Sequence, residues 1–100
     1  MKYFVKWEVF DTISEHDMAG MKSEFASQLE FIEKSGKMKD GGVLLGIRGG
    51  YFVLDIEKPA ELLNLLGPAI WDNCHVDSHP VITLKEIGEY LKTTELKKAA

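Results

Sequence analysis

"VLLGIRGGYFVLDIE" (residues 43–57) is the stretch on which the fold turns. Two apolar runs, Val43 to Leu45 and Tyr51 to Ile56, flank Gly49-Gly50. Consecutive glycines permit the positive φ angles of a tight primed turn. The stretch therefore predicts a hairpin turning at Gly49-Gly50. It is no nucleotide loop: "GIRGGY" lacks both the Lys-Ser/Thr ending of a phosphate loop and the full dinucleotide fingerprint.

Upstream, "KYFVKWEVF" (2–10) alternates as a strand. Tyr3, Val5, Trp7 and Val9 share one apolar face, and Lys2, Phe4, Lys6, Glu8 and Phe10 a mixed one. Residues 11–36 predict a helix, with Thr12/Glu15 or Ser14/Asp17 as its start and Gly36 as its stop. Met18, Met21, Phe25, Leu29 and Ile32 recur at spacings of three and four, the pattern of a buried stripe. "KMKDGG" (37–42) reads as a polar loop. Downstream, "KPAELLNLLGP" (58–68) predicts a short helix with Pro59 in its first turn and Gly67-Pro68 beyond its end. "AIWDNCHVDSHPVI" (69–82) returns as a strand, and Pro80, which cannot donate to a ladder, predicts an edge strand or one that ends or bulges there. Thr83 and Glu86 form a capping box for a last helix, whose Ile87, Tyr90 and Leu91 need a surface to lie on.

The order β-α-β-β-α-β is the ferredoxin-like α+β unit: a four-stranded antiparallel sheet, spatial order 4-1-3-2, with two helices on one face. Here a C-terminal helix is added, and residues 1–100 make a single domain. Strands two and three are apolar on both sides, and one helix layer covers only one face. A second copy is the expected cover, so the chain is expected to be a homodimer or higher oligomer.

Composition bounds the partners. A formal charge of −4 opposes nucleic-acid binding, which wants a basic surface. No apolar run is long enough to span a membrane, and none resembles a secretory signal. The one cysteine, Cys74, cannot close an internal disulfide, which fits a reducing cytoplasm. His75 beside it points to the opposite face of a strand, so Cys74 reads as a buried structural residue.

His75, Asp77 and His79 fall on alternate positions and so share a strand face. Residues two apart lie roughly 6–7 Å apart and residues four apart roughly 13 Å. Metal–nitrogen bonds of about 2 Å cannot gather all three from a straight strand. No metal and no tightly bound cofactor is expected. Acid–base work at His75 or His79, oriented by Asp77, stays open beside a polar rim. Trp7, Arg48 and Tyr51 are the ligand-binding candidates: a ring wall, a planar fork for a carboxylate, and a hydroxyl. Packing and solvated-surface roles stay open for them. His16, near a helix start, has no assigned role.

"YFVKWEV" (3–9), "GIRGGYFVLDIEKPAELLNLL" (46–66) and "VDSHPV" (76–81) together resemble the muconolactone isomerase-like proteins of the dimeric α+β barrel superfamily, which include domains of unknown function. The resemblance implies sheets packed face to face in dimers. It implies a cofactor-free, isomerase-like or monooxygenase-like enzyme if the chain is catalytic, acting by proton transfer on a small organic acid or lactone. The superfamily also holds haem-degrading enzymes and proteins with no known activity. Three expectations therefore stand: a cytoplasmic small-molecule-binding protein with acid–base candidates His75, Asp77 and His79; a non-catalytic accessory or assembly protein; and haem or metal binding. Fold alone does not choose among them.

Overall fold

The computed structural model describes residues 1–99, with side chains through Thr93. The elements run β1 (Lys2–Val9), α1 (Glu15–Lys34), β2 (Met38–Leu44), β3 (Gly49–Asp55), α2 (Glu61–Trp71), β4 (Cys74–Val81) and α3 (Leu84–Ala99). The four strands form one antiparallel sheet in the order β2-β3-β1-β4. This is the ferredoxin-like α+β fold.

Alternation along the strands assigns the two faces. Val5 lies opposite Phe52, Tyr3 opposite Leu54 and Val9 opposite Cys74, and Val5, Val9, Phe52, Leu54 and Cys74 are all buried beneath the helices. Phe25 and Ile32 of α1 and Leu62, Leu65, Leu66 and Ile70 of α2 complete the core. Burying each such aliphatic side chain contributes about 1.5–3 kcal/mol.

The hairpin does not turn at Gly49-Gly50. β2 ends at Leu44 and β3 begins at Gly49, so the connection is residues 45–48, where Gly46 alone takes a positive φ of 93°. "KMKDGG" is correspondingly strand for most of its length. The β2–β3 register shifts between Met38 and Asp40, which marks a bulge. Its polar residues and glycines disfavour a strand locally, and the ladder to β3 overrides that preference.

Ser14 is the α1 N-cap, its hydroxyl accepting from the Asp17 N–H at 3.1 Å. The helical region after Pro59 runs on to Trp71 instead of giving way to strand. Gly67 (φ 65°, ψ 175°) breaks it, and Pro68 opens a new turn in the position where a helix tolerates proline. Gln28 of α1 occupies the space a Gly67 side chain would need, and its amide donates to the Leu65 carbonyl at 2.5 Å. Pro80 does not end the ladder: β4 continues to Val81, opposite Lys2. An edge strand is where the missing N–H can be tolerated. The Thr83–Glu86 capping box forms, with Glu86 N–H to Thr83 Oγ1 and Thr83 N–H to Glu86 Oε1 at 3.1 and 3.2 Å.

α3 leaves the domain. The molecule extends 63 × 27 × 20 Å with a radius of gyration of 17.4 Å, where a compact chain of this length has about 13 Å. No residue from Leu84 to Thr93 is buried. No helix of the described residues is long and apolar enough to cross a membrane.

Ala60 gives α2 no side-chain cap, and Glu61 reaches back in its place. Its carboxylate accepts from the Glu57 and Lys58 N–H groups at 2.8 and 3.1 Å and pairs with Lys37 at 3.0 Å. The Lys58 N–H first, then Lys37 and the Glu57 N–H, lower its pKa from 4.5 to about 2. A lowered carboxyl pKa stabilises the fold above the unfolded value, and that contribution is lost as pH falls through the folded one. Glu61→Gln should therefore lower the melting temperature at neutral pH, with the deficit closing between pH 4.5 and about 2. Thermal melts across that window check it; a gap independent of pH would mean that the carboxylate charge is not what matters.

Candidate functional site

The site begins with a missing side chain. Gly50 faces Trp7 across the β1–β3 ladder, and a Cβ at position 50 would meet the Gly42 carbonyl oxygen and the Trp7 ring, the latter at 2.8 Å. The indole therefore lies across bare backbone. Phe52 stacks near it at 6.2 Å between centroids and Phe25 of α1 at 6.3 Å. Offset and tilted contacts of this kind suit aromatic quadrupoles.

Beside the indole, between α1 and the sheet, is an open cavity of about 420 Å³. Its apolar wall comes from Trp7, Met18, Phe25, Leu29, Val43 and Ile47. A smaller recess of about 180 Å³ shares Trp7, Leu29 and Val43 and continues toward β2. Among the described residues, Trp7 Nε1 is the one buried side-chain polar atom without a hydrogen-bond partner. A buried, unmatched N–H is costly, at about 1–3 kcal/mol. The other indole, Trp71, is satisfied by the Leu62 carbonyl at 3.2 Å.

Arg48 stands at the end of the turn and lines this cavity. Its Nη1 donates to the Ile13 carbonyl at 2.6 Å and its Nη2 to the Phe10 carbonyl at 2.8 Å. The side chain is half-buried and fastens the β1–α1 loop over the hairpin end. It also lines a neighbouring polar pocket of about 430 Å³ with Glu8 and Asp11.

Of the residues singled out in the sequence, Trp7 and Arg48 meet at the cavity. Tyr51 does not join them. It lies opposite Lys6 on the open face of the sheet, stacked on Phe4 at 5.7 Å, with its hydroxyl 3.5 Å from the Asp40 carboxylate. His75, Asp77 and His79 lie opposite Glu8, Lys6 and Phe4, on that same open face, and all three are exposed. His75 meets the Phe10 ring edge-on at 4.6 Å. Among the described residues no three His, Cys, Asp or Glu side chains converge as metal ligands. His16 is exposed in the first turn of α1. Cys74 is buried, and burial pushes its thiol up to about 11, so it carries no thiolate at neutral pH.

The cavity wall itself escaped the sequence. Met18, Phe25 and Leu29 read as a core stripe, and the spacing of a stripe does not tell a packed face from one that leaves a void.

This architecture has a solved counterpart. The structure of 5-chloro-2-hydroxyhydroquinone dehydrochlorinase (TftG) from Burkholderia phenoliruptrix, in complex with 2,5-dihydroxybenzoquinone, superposes with a TM-score of 0.65 over 86% of this chain and 98% of that one. At 14% identity the likeness establishes the α+β fold and nothing of the chemistry. No family model and no curated protein matches the sequence.

Gly50→Ala should cost about 1–3 kcal/mol, the usual range for overpacking a filled site. It should also tilt the Trp7 indole into the cavity. Urea unfolding and the Trp7 indole N–H resonance read the two effects. Unchanged stability and an unmoved resonance would show that the ring does not depend on the bare backbone at Gly50.

Proposed function

We propose that the chain binds a small, largely apolar organic molecule in the cavity between α1 and the sheet. One observation carries the reading: an open space of about 420 Å³ between α1 and the sheet, walled by Trp7, Met18, Phe25, Leu29, Val43 and Ile47. Ligand sites are concave, mostly apolar and hold a few convergent polar groups, within roughly 300–1,000 Å³. The dehydrochlorinase of the same fold, whose structure holds a hydroxylated quinone, is in keeping with a ring-sized ligand.

The same proposal includes a cytoplasmic homodimer of the muconolactone isomerase-like kind, its open sheet faces meeting. Phe4, Tyr51, Val53 and Leu44 supply the apolar middle of that face. His75, Asp77 and His79 then stand at the interface or its rim, where Asp77 can orient one imidazole for proton transfer. They are on the far side of the sheet from the cavity. Binding in the cavity therefore needs none of them.

Ala26, exposed on α1 at the cavity mouth, provides the test. Naphthalene should shift the Trp7 indole N–H resonance and leave that of Trp71 in place. Ala26→Trp should abolish the shift while changing stability by no more than about 0.5 kcal/mol, as surface substitutions do. An unmoved Trp7 resonance at saturating naphthalene would defeat the binding proposal. For the assembly, sedimentation at micromolar concentration should give a dimer; a monomer there removes the sheet-to-sheet pairing.

A further inference from the structure

We infer that α3 is an exchanged arm: its apolar side chains dock along the lip of the cavity on a second copy of the chain and close the mouth from outside. The inference rests on the proposal that the chain pairs with itself and adds what the partner contributes to the cavity.

The arm is an apolar helix face left bare. Leu84, Ile87 and Leu91 fall at spacings of three and four, so they share one stripe. Leu84 is 89% exposed and Leu91 53%, and no residue from Leu84 to Thr93 is buried. A helix of sixteen residues without packing is marginal in water. The dehydrochlorinase structure matches 86% of this chain over 98% of its own, so the fold closes without a segment of about this size. α3 is an addition whose order needs a surface.

The seat is on the same chain but beyond the arm's own reach. Leu29 and Val43 line the cavity, and Val43 is 73% exposed. Leu45, two residues on, is 98% exposed. Adjoining exposed apolar side chains mark interaction surfaces. These lie at the hairpin end of β2, one edge of the sheet. α3 starts from the diagonally opposite corner: β4 is the other edge, and its last residue, Val81, lies opposite Lys2. Val43 is level with Gly50 and Trp7, which puts the seat about 14 Å across the sheet and about 17 Å along it from the start of the arm. Only Ile82 and Thr83 join β4 to α3, too few for the helix to turn back over that distance. The 63 Å length of the molecule is that of an arm held away from the sheet. A second copy removes the restriction and balances the count, since every chain brings one arm and one seat. A foreign helix in the seat would leave the chain's own arm bare. Anchors at i, i+3 and i+7 are how an amphipathic helix enters an apolar groove.

Sedimentation of the full chain and of two full-length variants, alone and mixed, tests the exchange. Leu91→Glu alters the arm and Leu45→Glu the seat, and both side chains are exposed, so neither change enters the core. Each variant should self-associate at least about tenfold more weakly than the unchanged chain, as loss of an apolar anchor does. Mixed one to one, the two should associate severalfold more tightly than either alone, because the mixed pair keeps one intact arm on one intact seat. Leu84→Glu, acidic in the first helical turn, repeats the arm test if Leu91→Glu unwinds α3. Naphthalene should bind the arm variants severalfold more weakly, since the mouth then stays open. Full-strength association of both variants, a mixture no tighter than its components, or a naphthalene affinity unmoved by loss of the arm overturns the inference and leaves a dimer paired through its sheets. A full chain that stays monomeric at micromolar concentration overturns the inference and the pairing together.

Discussion

The contact between the Trp7 indole and the bare backbone of Gly50 organises this molecule. It sets the register of the two central strands, because a slip of one residue places Tyr51 or Gly49 beneath the ring and turns Phe52 and Leu54 away from the core. It also lifts the aromatic cluster of Trp7, Phe25 and Phe52 into the gap between sheet and helix. Positions 46 to 50 then carry three tasks in sequence. Gly46 makes the turn, Arg48 fastens the β1–α1 loop, and Gly50 seats the indole. Hairpin geometry and cavity shape are one local problem with one solution.

Much of this fold is legible from short-range pattern. Alternation in residues 2–10 assigns Val5 and Val9 to the core face, and Ser14/Asp17 and Thr83/Glu86 announce helix starts that form. The element order leads to the observed sheet. The misreadings have definite causes. Gly49-Gly50 looks like a turn because glycine serves both positive φ and close approach, and a sequence does not say which is in use. Residues 38–44 look like a loop because their strand character comes from pairing with β3 rather than from propensity. Residues 69–71 look extended because Gly67-Pro68 is a stop signal that here is followed by another helical turn. At the site, Trp7 and Arg48 are suggested by residue type alone. Their significance depends on neighbours distant in sequence: the missing acceptor near Nε1, and the Ile13 and Phe10 carbonyls beneath the guanidinium.

The sheet divides the chemistry of the chain into two separate provinces. The helix-covered side holds apolar volume and hydrogen-bond donors. The open side holds His75 and His79 and the four strand carboxylates, Glu8, Asp40, Asp55 and Asp77. A sheet one residue thick keeps these apart, because neighbouring residues on a strand cannot share a face. Substitutions on the two faces should be largely additive, apart from positions coupled through the β1 backbone.

α3 carries a consequence of its own. From Leu84 to Thr93 none of its residues is buried, so its order derives mainly from its own backbone and the Thr83–Glu86 cap rather than from tertiary packing. A sixteen-residue helix on its own is near the margin of stability in water. The chain therefore holds two cooperative units of unequal strength joined end to end. Its helical circular dichroism and its aromatic signal need not disappear together on heating, and the amides of α3 should exchange with solvent long before those of the central strands.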